Sequence, residues 1–326
     1  MCHLKKKNMM RNIKWIALLT FVLGYVVSTA TAGSESAARG AAAAPATDGV
    51  LRPLPETTEN NRPLTARWHR AAIDTTGPAT IGGLRPNVIN RASALNRAFD
   101  ILCRSGRPLR VLQVGDSHVA GGSYPGALRA TLEQAWGKAD NDSAGTGVHF
   151  SYMGRNGATA QWFANHEKVA EIAARCPDLI ILSFGTNECH GMGYSEELHR
   201  VQLEDFYEML VSACPSAVIM MTTPPGDYLT TRRSYRSRSG RRVVRSSSRI
   251  NPMSVRCAAA LEDFGTDHGL PVWDLNSIAG GKAAVVKWQA AGLMRPDRIH
   301  FTPDGYRLQG KMLGEAILKA YNSYLQ

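Results

Sequence analysis

Beyond about residue 84, short apolar runs alternate with segments of helical periodicity. Five runs have the length and composition of buried strands, and they cover residues 110–114, 148–153, 179–184, 217–222 and 271–274. Strands that alternate with helices predict an α/β fold, in which a parallel sheet carries helices on both faces. Such sheets bind ligands beyond the carboxyl ends of their strands, so functional residues are expected there.

Three helices are predicted between and after these strands. Residues 195–213 repeat apolar residues at helical spacing, and the resulting face consists of Leu203, Phe206, Tyr207, Leu210 and Val211. Asn251-Pro252 and Thr302-Pro303 each place a capping residue before a proline, which is typical of a helix start. These two pairs predict a helix that ends near residue 268 and a last helix near the end of the chain.

The first 32 residues have the layout of a secretory signal peptide. Basic residues up to Lys14 precede an apolar run over residues 15–27, and small residues follow up to Ala32. We therefore predict cleavage after Ala32 and a mature protein that is periplasmic or secreted. The alternative is an uncleaved membrane anchor, but this run is shorter than the roughly 20 residues of a spanning helix, so we expect no stable membrane span after cleavage.

The rest of the chain divides into two parts by composition. Residues 33–83 are rich in Ala, Pro, Thr and Gly and have no sustained apolar period, which predicts a low-complexity arm or linker. Residues 84–326 are expected to form one domain, because this length suffices for a single substantial core.

Charge is concentrated in two segments. The chain has 38 Lys and Arg against 27 Asp and Glu, a net charge of +11. Five positive charges lie in residues 1–32, and eight arginines lie between Arg232 and Arg249, where no acidic residue occurs. The remainder has a net charge of −2. The body of the protein is therefore mildly acidic, and nucleic acid is not an expected partner.

Four polar clusters lie at the carboxyl ends of predicted strands or directly before the last helix. They are Gly115-Asp116-Ser117-His118, Gly154-Arg155-Asn156-Gly157-Ala158, Gly185-Thr186-Asn187-Glu188 and Asp297-Arg298-Ile299-His300. Together they contain the residue types that acyl transfer requires.

Ser117, His300 and Asp297 form the candidate catalytic set. A serine becomes a strong nucleophile when a nearby base takes its proton and an acid fixes the tautomer of that base. Asp297 and His300 are three residues apart, so one tight turn can bring the carboxylate to Nδ1 while Nε2 faces Ser117. The backbone N–H groups of Ser117 and Gly157 and the side-chain amide of Asn187 are candidate oxyanion donors. Each residue alone also has a structural interpretation, as a turn, a helix cap or a surface histidine, and only their joint occurrence favours catalysis.

With these residues the chain resembles the SGNH hydrolase superfamily of GDSL-like esterases. The motifs that carry the resemblance are Gly115-Asp116-Ser117, Gly157, Asn187 and the run from Asp297 and His300 through Thr302, Gly305 and Tyr306 to Gly310. The resemblance implies a three-layer α/β/α, flavodoxin-like fold with about five parallel strands. It also implies Ser117 as nucleophile, oxyanion contributions from Gly157 and Asn187, and ester hydrolysis without a metal or other cofactor.

A narrower resemblance concerns the substrate. His118 after the serine and the run Gly185-Thr-Asn-Glu188 look like bacterial peptidoglycan O-acetylesterases. This resemblance implies an acetylated glycan or peptidoglycan as substrate, which agrees with the predicted export. Some of those enzymes are expected to carry an extra β-domain, and the 40 residues from Ser117 to Gly157 leave no room for a large one.

The segment 230–250 is predicted to be an arginine-rich loop on the active-site side. One interpretation is a solvated, disordered loop. Another is a mobile flap whose guanidinium groups, including those of Arg232 and Arg233, bind carboxylates of an anionic substrate. A third is binding of nucleic acid or anionic lipid, which Tyr235 as the lone aromatic residue disfavours. His118 and His190 are further candidates for substrate binding, with packing or a place at the rim as the alternative.

Five cysteines follow the predicted signal peptide, and they are Cys103, Cys176, Cys189, Cys214 and Cys257. They form no Cys-x-x-Cys pair, so no structural zinc is expected. Cys176 and Cys214 each precede a predicted strand, and a disulfide between them is a hypothesis.

The sequence thus predicts an exported serine esterase that removes O-acetyl groups from cell-wall peptidoglycan or another polysaccharide. Three alternatives stay open: an O-acetyltransferase, a lipid or thioester hydrolase on the same scaffold, and a non-catalytic envelope protein that binds anionic polymer through its arginines.

Overall fold

The structure is a computed structural model that describes residues 69–73, 81–83, 85–139, 146–191 and 193–326. The predicted signal peptide and most of the predicted arm lie outside the described residues, so both stay predictions. Within the described part of the chain, none of the helices combines the length and the apolar character needed to cross a bilayer.

Seven strands are described, and five of them form the central sheet. The strands are β1 Leu109–Gly115, β2 Val148–Gly154, β3 Leu179–Ser183, β4 Val218–Thr222, β5 Tyr228–Arg236, β6 Arg242–Ile250 and β7 Val272–Trp273. The sheet is parallel, and its spatial order is β2-β1-β3-β4-β7. This is the flavodoxin-like order, with β1 at the point where the winding reverses. The five predicted strands are confirmed to within about two residues at each end.

Helices follow most strands and cover both faces of the sheet. Those described are α1 Asn96–Arg104, α2 Ser117–Ala120, α3 Ser123–Trp136, α4 Ala160–Phe163, α5 His166–Ala173, α6 Thr186–Cys189, α7 Glu196–Ala213, α8 Met253–Asp267, α9 Leu275–Ala279, α10 Ala284–Ala290 and α11 Pro303–Tyr324. Side-chain oxygens cap the predicted starts: Ser195 Oγ accepts from the N–H of Leu198 at 3.2 Å, and Thr302 Oγ1 accepts from the N–H of Gly305 at 3.2 Å.

The alternation of side chains along β1 produces two separate cores. Leu109 and Val111 belong to the core that contains the buried faces of α1, α3 and α11. Leu112 and Val114 belong to the core that contains those of α5, α7 and α8. Because successive strand residues point to opposite faces, the sheet is the middle layer of a three-layer α/β/α sandwich. The predicted fold class is therefore confirmed.

Close packing of α11 on α3 determines the distance between the first and last polar clusters. A Cβ atom on Gly310 of α11 would lie 2.4 Å from the carbonyl oxygen of Tyr124 in α3, so only glycine allows this approach. The helix α2 with Ser117 immediately precedes α3, and His300 immediately precedes α11. The contact between the two helices thereby brings Ser117 towards His300.

One of the residues that were predicted to form the apolar face of α7 is not buried. Leu203, Phe206 and Leu210 are buried, but Val211 is 41% exposed. The stripe on this helix is narrower than predicted, since the helix packs on one side of the sheet and Val211 lies beyond the edge of that contact.

The segment predicted to be an arginine-rich loop over residues 230–250 is a β-hairpin. The strands β5 and β6 pair antiparallel from Tyr228 opposite Ile250 to Arg236 opposite Arg242. The prediction of a loop was wrong, because it rested on the arginines and serines of this segment alone. Threonine, tyrosine and valine are interspersed among them, and a Ser-Gly pair separates the two runs, which is a hairpin signal.

Candidate active site

Ser117 lies at the carboxyl end of the central strand β1, as the first residue of α2. Asp116 caps this helix, because its Oδ1 accepts a hydrogen bond from the N–H of His118 at 2.8 Å. Ser117 Oγ is 2.9 Å from His300 Nε2, a normal hydrogen-bond distance. Two residues that are 183 positions apart in the chain therefore share one hydrogen bond.

Asp297 fixes both the position and the tautomer of His300. Its Oδ1 accepts from the backbone N–H groups of Ile299 and His300, each at 2.9 Å, and its Oδ2 is 3.0 Å from His300 Nδ1. Burial by itself raises the pKa of Asp297, but the two backbone hydrogen bonds, together with the hydrogen bond and charge of the His300 ring, lower it below the ordinary value. An ionised carboxylate only accepts, so Nδ1 carries the hydrogen and Nε2 is left to accept from the Ser117 hydroxyl.

The candidate oxyanion donors lie on the loops after β1, β2 and β3. Among the described residues, no backbone carbonyl accepts a hydrogen bond from the N–H of Ser117 or of Gly157. Gly157 has a φ of +75°, and a Cβ atom there would meet nothing within 4 Å. The loop thus combines a left-handed backbone, which favours glycine, with open space beside an N–H group.

Asn187 is tied to the other two loops by its side-chain amide. Its Nδ2 donates to the carbonyl of Ala158 at 2.8 Å and makes a longer contact of 3.4 Å with Asp116 Oδ2. One amide hydrogen of Asn187 thus makes a normal hydrogen bond, and the other makes only a weak one. Asp116 is buried, and burial raises its pKa to about 7.

Glu188 joins the loop after β2 to the loop after β3. Its Oε1 accepts from the N–H of Ala160 at 2.8 Å, and its Oε2 accepts from the N–H of Gly185 at 2.9 Å. Burial raises the pKa of Glu188 to about 7. The sequence motif that contains Glu188 does not predict this role, because the partners of a carboxylate in another loop are not visible in a local pattern.

His118, a predicted substrate-binding candidate, lies in the interior behind His300. Its side chain is 5% exposed, its Nδ1 is 3.0 Å from the hydroxyl of Tyr306, and its ring centre is 5.6 Å from that of His300. Burial lowers its pKa to about 3, so it stays neutral. This placement corresponds to the packing alternative, in which His118 supports the His300 ring.

His190, the second such candidate, is partly exposed and pairs with a buried aspartate. Its Nδ1 pairs with Oδ2 of the buried Asp227, whose Oδ1 accepts from Asn251 Nδ2 at 2.8 Å and from Ser254 Oγ at 2.7 Å. The hydrogen bond to Asp227 raises the pKa of His190 above its ordinary value. Asp227 is not among the residues predicted from the sequence, although its place after the carboxyl end of β4 was a usable signal.

Arg232 and Arg233 are exposed on the hairpin and point to opposite faces of it, since they are adjacent in β5. No hydrogen bond or ion pair joins them to Ser117, His300 or Asp297 among the described contacts. The structure therefore brings together the candidate catalytic residues and not these arginines.

The predicted disulfide between Cys176 and Cys214 is not formed. Both are free thiols, as are Cys103, Cys189 and Cys257. No group of three or more histidine, cysteine or acidic side chains arranged to hold a metal ion occurs in the described part of the chain.

The chain is similar to one protein family and to several solved structures. The GDSL-like lipase/acylhydrolase family profile matches residues 114–308. A solved peptidoglycan O-acetylesterase aligns at 15% identity with a TM-score of 0.56, covering 74% of this chain and 98% of its own. An esterase active on acetylated mannans aligns at 15% identity with a TM-score of 0.47, covering 70% and 55%. A lipase/acylhydrolase from Enterococcus faecalis aligns at 19% identity with a TM-score of 0.42, covering 65% and 96%.

Curated protein sequences give no significant match to the chain. The family profile, however, spans more than half of it and includes Ser117 and His300. The resemblance to SGNH hydrolases is confirmed, and the fold agrees with that of the solved O-acetylesterase. The chain belongs to the GDSL-like lipase/acylhydrolase family of the SGNH hydrolase superfamily, and it is a carboxylic ester hydrolase.

Proposed function

We propose that the protein is an exported serine esterase that removes O-acetyl groups from cell-wall peptidoglycan or a related polysaccharide. The observation that carries the proposal is the continuous hydrogen-bonded series from Ser117 Oγ through the His300 ring to the Asp297 carboxylate, at 2.9 and 3.0 Å. This is the arrangement by which a neutral hydroxyl becomes a nucleophile.

In the first half of the reaction, Ser117 Oγ attacks the acetyl carbonyl carbon while His300 Nε2 takes the hydroxyl proton. The resulting imidazolium is stabilised by Asp297, whose lowered pKa keeps it ionised. The tetrahedral intermediate then breaks its bond to the sugar oxygen, and His300 returns the proton to that oxygen. The products are a free sugar hydroxyl and an acetyl ester on Ser117.

In the second half, water replaces the sugar. His300 Nε2 takes a proton from the water as the water oxygen attacks the acetyl carbon. The second intermediate then breaks its bond to Ser117 Oγ, His300 returns the proton to Oγ, and acetate leaves. The N–H groups of Ser117 and Gly157 donate to both oxyanions. The Asn187 amide adds a third hydrogen bond by exchanging its weak 3.4 Å contact with Asp116 for the oxyanion.

Two observations support the choice of substrate. The chain shares its fold with a solved peptidoglycan O-acetylesterase over 98% of that protein's length. The N-terminal pattern of the sequence predicts export to the compartment where an acetylated cell wall is found. Peptidoglycan is therefore the first polymer to test.

The test is acetate release from intact sacculi. Purified protein is incubated with O-acetylated sacculi and with the same sacculi after alkaline de-acetylation, and acetate is measured over time. We expect acetate only from the acetylated sample and none with Ser117→Ala, whose circular dichroism and Tm should match those of the wild type. Acetate release by Ser117→Ala would disprove the proposed nucleophile.

The same assay separates the remaining alternatives. Addition of a de-acetylated oligosaccharide would lower acetate yield and produce acetylated acceptor if the acetyl group is transferred rather than hydrolysed. Turnover of long-chain esters with no acetate from sacculi would point to a lipid substrate instead.

A further inference from the structure

The hairpin of residues 228–250, here called the arginine ribbon, carries arginines directly opposite one another. Arg233 pairs with Arg245 on one face of the hairpin, and Arg236 pairs with Arg242 on the opposite face, because residues three apart in a strand point to opposite sides. All four are exposed. Directly opposed side chains have Cβ atoms about 5 Å apart, and like charges at that distance destabilise the pair. Each pair is therefore a place where a bound anion would relieve repulsion.

The repulsion within the ribbon is not relieved by acidic residues of its own. No Asp or Glu occurs between Tyr228 and Ile250. Arg236 donates to the carbonyl of Gly240 at 3.2 Å, and the guanidinium of Arg245 lies 5.9 Å from the ring centre of Tyr235. Neither partner carries a negative charge, so the ribbon retains a strong excess of positive charge.

The root of the ribbon is attached to the candidate active site. The N–H of Tyr228 donates to the carbonyl of Arg298 at 3.0 Å, and the guanidinium of Arg298 lies 5.4 Å from the centre of the Tyr228 ring. Arg298 lies between Asp297 and His300 in the turn that fixes the histidine. Nine residues at about 3.4 Å each make the ribbon roughly 30 Å long, so it extends well beyond a single ester.

The composition of the ribbon indicates which anion it binds. Tyr235 is its one aromatic residue beyond the root, which provides no series of stacking platforms for nucleic acid. Its exposed large apolar residues, Tyr235 and Val244, lie on opposite faces, so no continuous apolar surface is available to enter a membrane. Guanidinium groups match the geometry of carboxylates, and a polymer bound here must also present an ester to Ser117.

We propose that the arginine ribbon binds the carboxylates of peptidoglycan peptides and so holds the acetylated polymer beside Ser117. This inference rests on the proposed function and adds to it a docking element for the anionic part of the substrate, with one arginine pair on each face of the hairpin. The ribbon increases affinity for polymer and does not take part in the chemistry.

The experiment compares two forms of one substrate. Soluble O-acetylated peptidoglycan fragments are used as isolated and after amidation of their carboxyl groups, and KM and kcat for acetate release are measured. The test variant combines Arg233→Gln, Arg236→Gln, Arg242→Gln and Arg245→Gln. We expect it to raise KM for the native fragments by about tenfold, with kcat unchanged, because several exposed ion pairs are lost together. The test variant and the wild type should turn over amidated fragments and 4-nitrophenyl acetate equally well.

A matched control removes the same number of charges elsewhere. It combines Arg97→Gln, Arg129→Gln, Arg175→Gln and Arg307→Gln, all exposed and all outside the ribbon. We expect KM to stay within about twofold of the wild-type value. The advantage of the wild type on native fragments should also disappear at about 0.5 M salt, where the Debye length falls to roughly 4 Å.

Several outcomes would overturn the ribbon's role. Three concern the kinetics: an equal rise of KM in the control, an unchanged KM in the test variant, and no effect of amidation on KM. The fourth is ribbon-dependent binding of RNA or anionic vesicles with no change in KM for peptidoglycan fragments. A pelleting assay of Ser117→Ala with native and amidated sacculi measures binding without turnover. If the wild type releases no acetate from any peptidoglycan, the proposed function fails, and pelleting of Ser117→Ala with and without the four ribbon substitutions still decides whether the ribbon binds its carboxylates.

Discussion

Glu188 and Ala160 are joined by a hydrogen bond of 2.8 Å from the N–H of Ala160 to Oε1 of Glu188. Since Oε2 of the same carboxylate accepts from Gly185 at 2.9 Å, one side chain holds together the loops that carry Gly157 and Asn187. The two loops are brought to the site by different strands, and Glu188 sets their spacing.

We expect Glu188→Gln to damage this connection, because an amide offers one acceptor oxygen where two are needed. The amide nitrogen would face a backbone N–H, leaving a partly buried donor without a partner at a cost of about 1–3 kcal/mol. The free energy of unfolding should fall by that amount, and kcat should fall with it as the oxyanion donors separate. Chemical denaturation and steady-state kinetics measure both. Glu167→Gln, at a side chain that is 78% exposed, is the control and should change neither.

The pKa of Glu188 also predicts how stability depends on pH. Because burial raises it from 4.5 to about 7, the folded state binds the proton more tightly than the unfolded chain does. This contribution to stability is largest below pH about 4.5 and is lost as the pH rises through about 7. The difference in unfolding free energy between wild type and Glu188→Gln should therefore shrink between these two pH values. A difference that grows with pH would contradict the assigned pKa direction.

Asp297→Asn should leave the fold intact and greatly reduce turnover. The amide cannot accept from His300 Nδ1–H and from the backbone in the same way, so the imidazole loses its tautomer and orientation. We expect kcat to fall by about 10³-fold or more with little change in Tm. Asp304→Asn makes the same chemical change at an exposed position of α11, where Asp304 pairs with Arg307, and it should keep full activity. Comparable losses in the two variants would argue against the role assigned to Asp297.

His190 should stabilise the protein more at low pH than at high pH. Its pKa is raised by Asp227, so its contribution is fully present below the unfolded value of 6.5 and is lost as the pH rises through the folded value. His190→Gln should cost about 1 kcal/mol near pH 5.5 and less near pH 9, as measured by urea denaturation. The exposed His166→Gln serves as control. A pH-independent cost would mean that the pair with Asp227 is not charged.

Thiol labelling should distinguish Cys176 from the other described cysteines. Cys176 is exposed, whereas Cys103, Cys189, Cys214 and Cys257 are buried, and burial raises the pKa of Cys103 to about 11. A thiol reagent should therefore modify Cys176 rapidly in the native protein and the buried four only after unfolding. Cys176→Ser should remove the rapid phase. Loss of two thiols from the unreduced, unfolded protein would instead show that a disulfide had formed.

Periodicity and capping predicted the sheet and its helices well, because both depend on neighbours within a few residues. The strand β1 has continuous apolar residues ending at a glycine, and Thr302-Pro303 starts α11 where expected. The contact between Asp297 and His300 is also local, since a single turn joins residues three apart. The arginine ribbon shows what local patterns fail to predict. Its many arginines and serines suggested a loop, whereas the pairing of two polar strands depends on their register across a turn.

The amino-acid sequence by itself determined the α/β alternation, the family and the candidate residues at the strand ends. Hydrophobic spacing and short-range hydrogen bonds depend only on residues that are close together in the chain. Only the tertiary structure decided that Ser117 meets His300, that Glu188 joins two loops, that Asp227 pairs with His190 and that His118 lies inside. These partners are far apart in the chain. Their contacts follow from how helices pack on the sheet and from which polar groups burial obliges to find a partner.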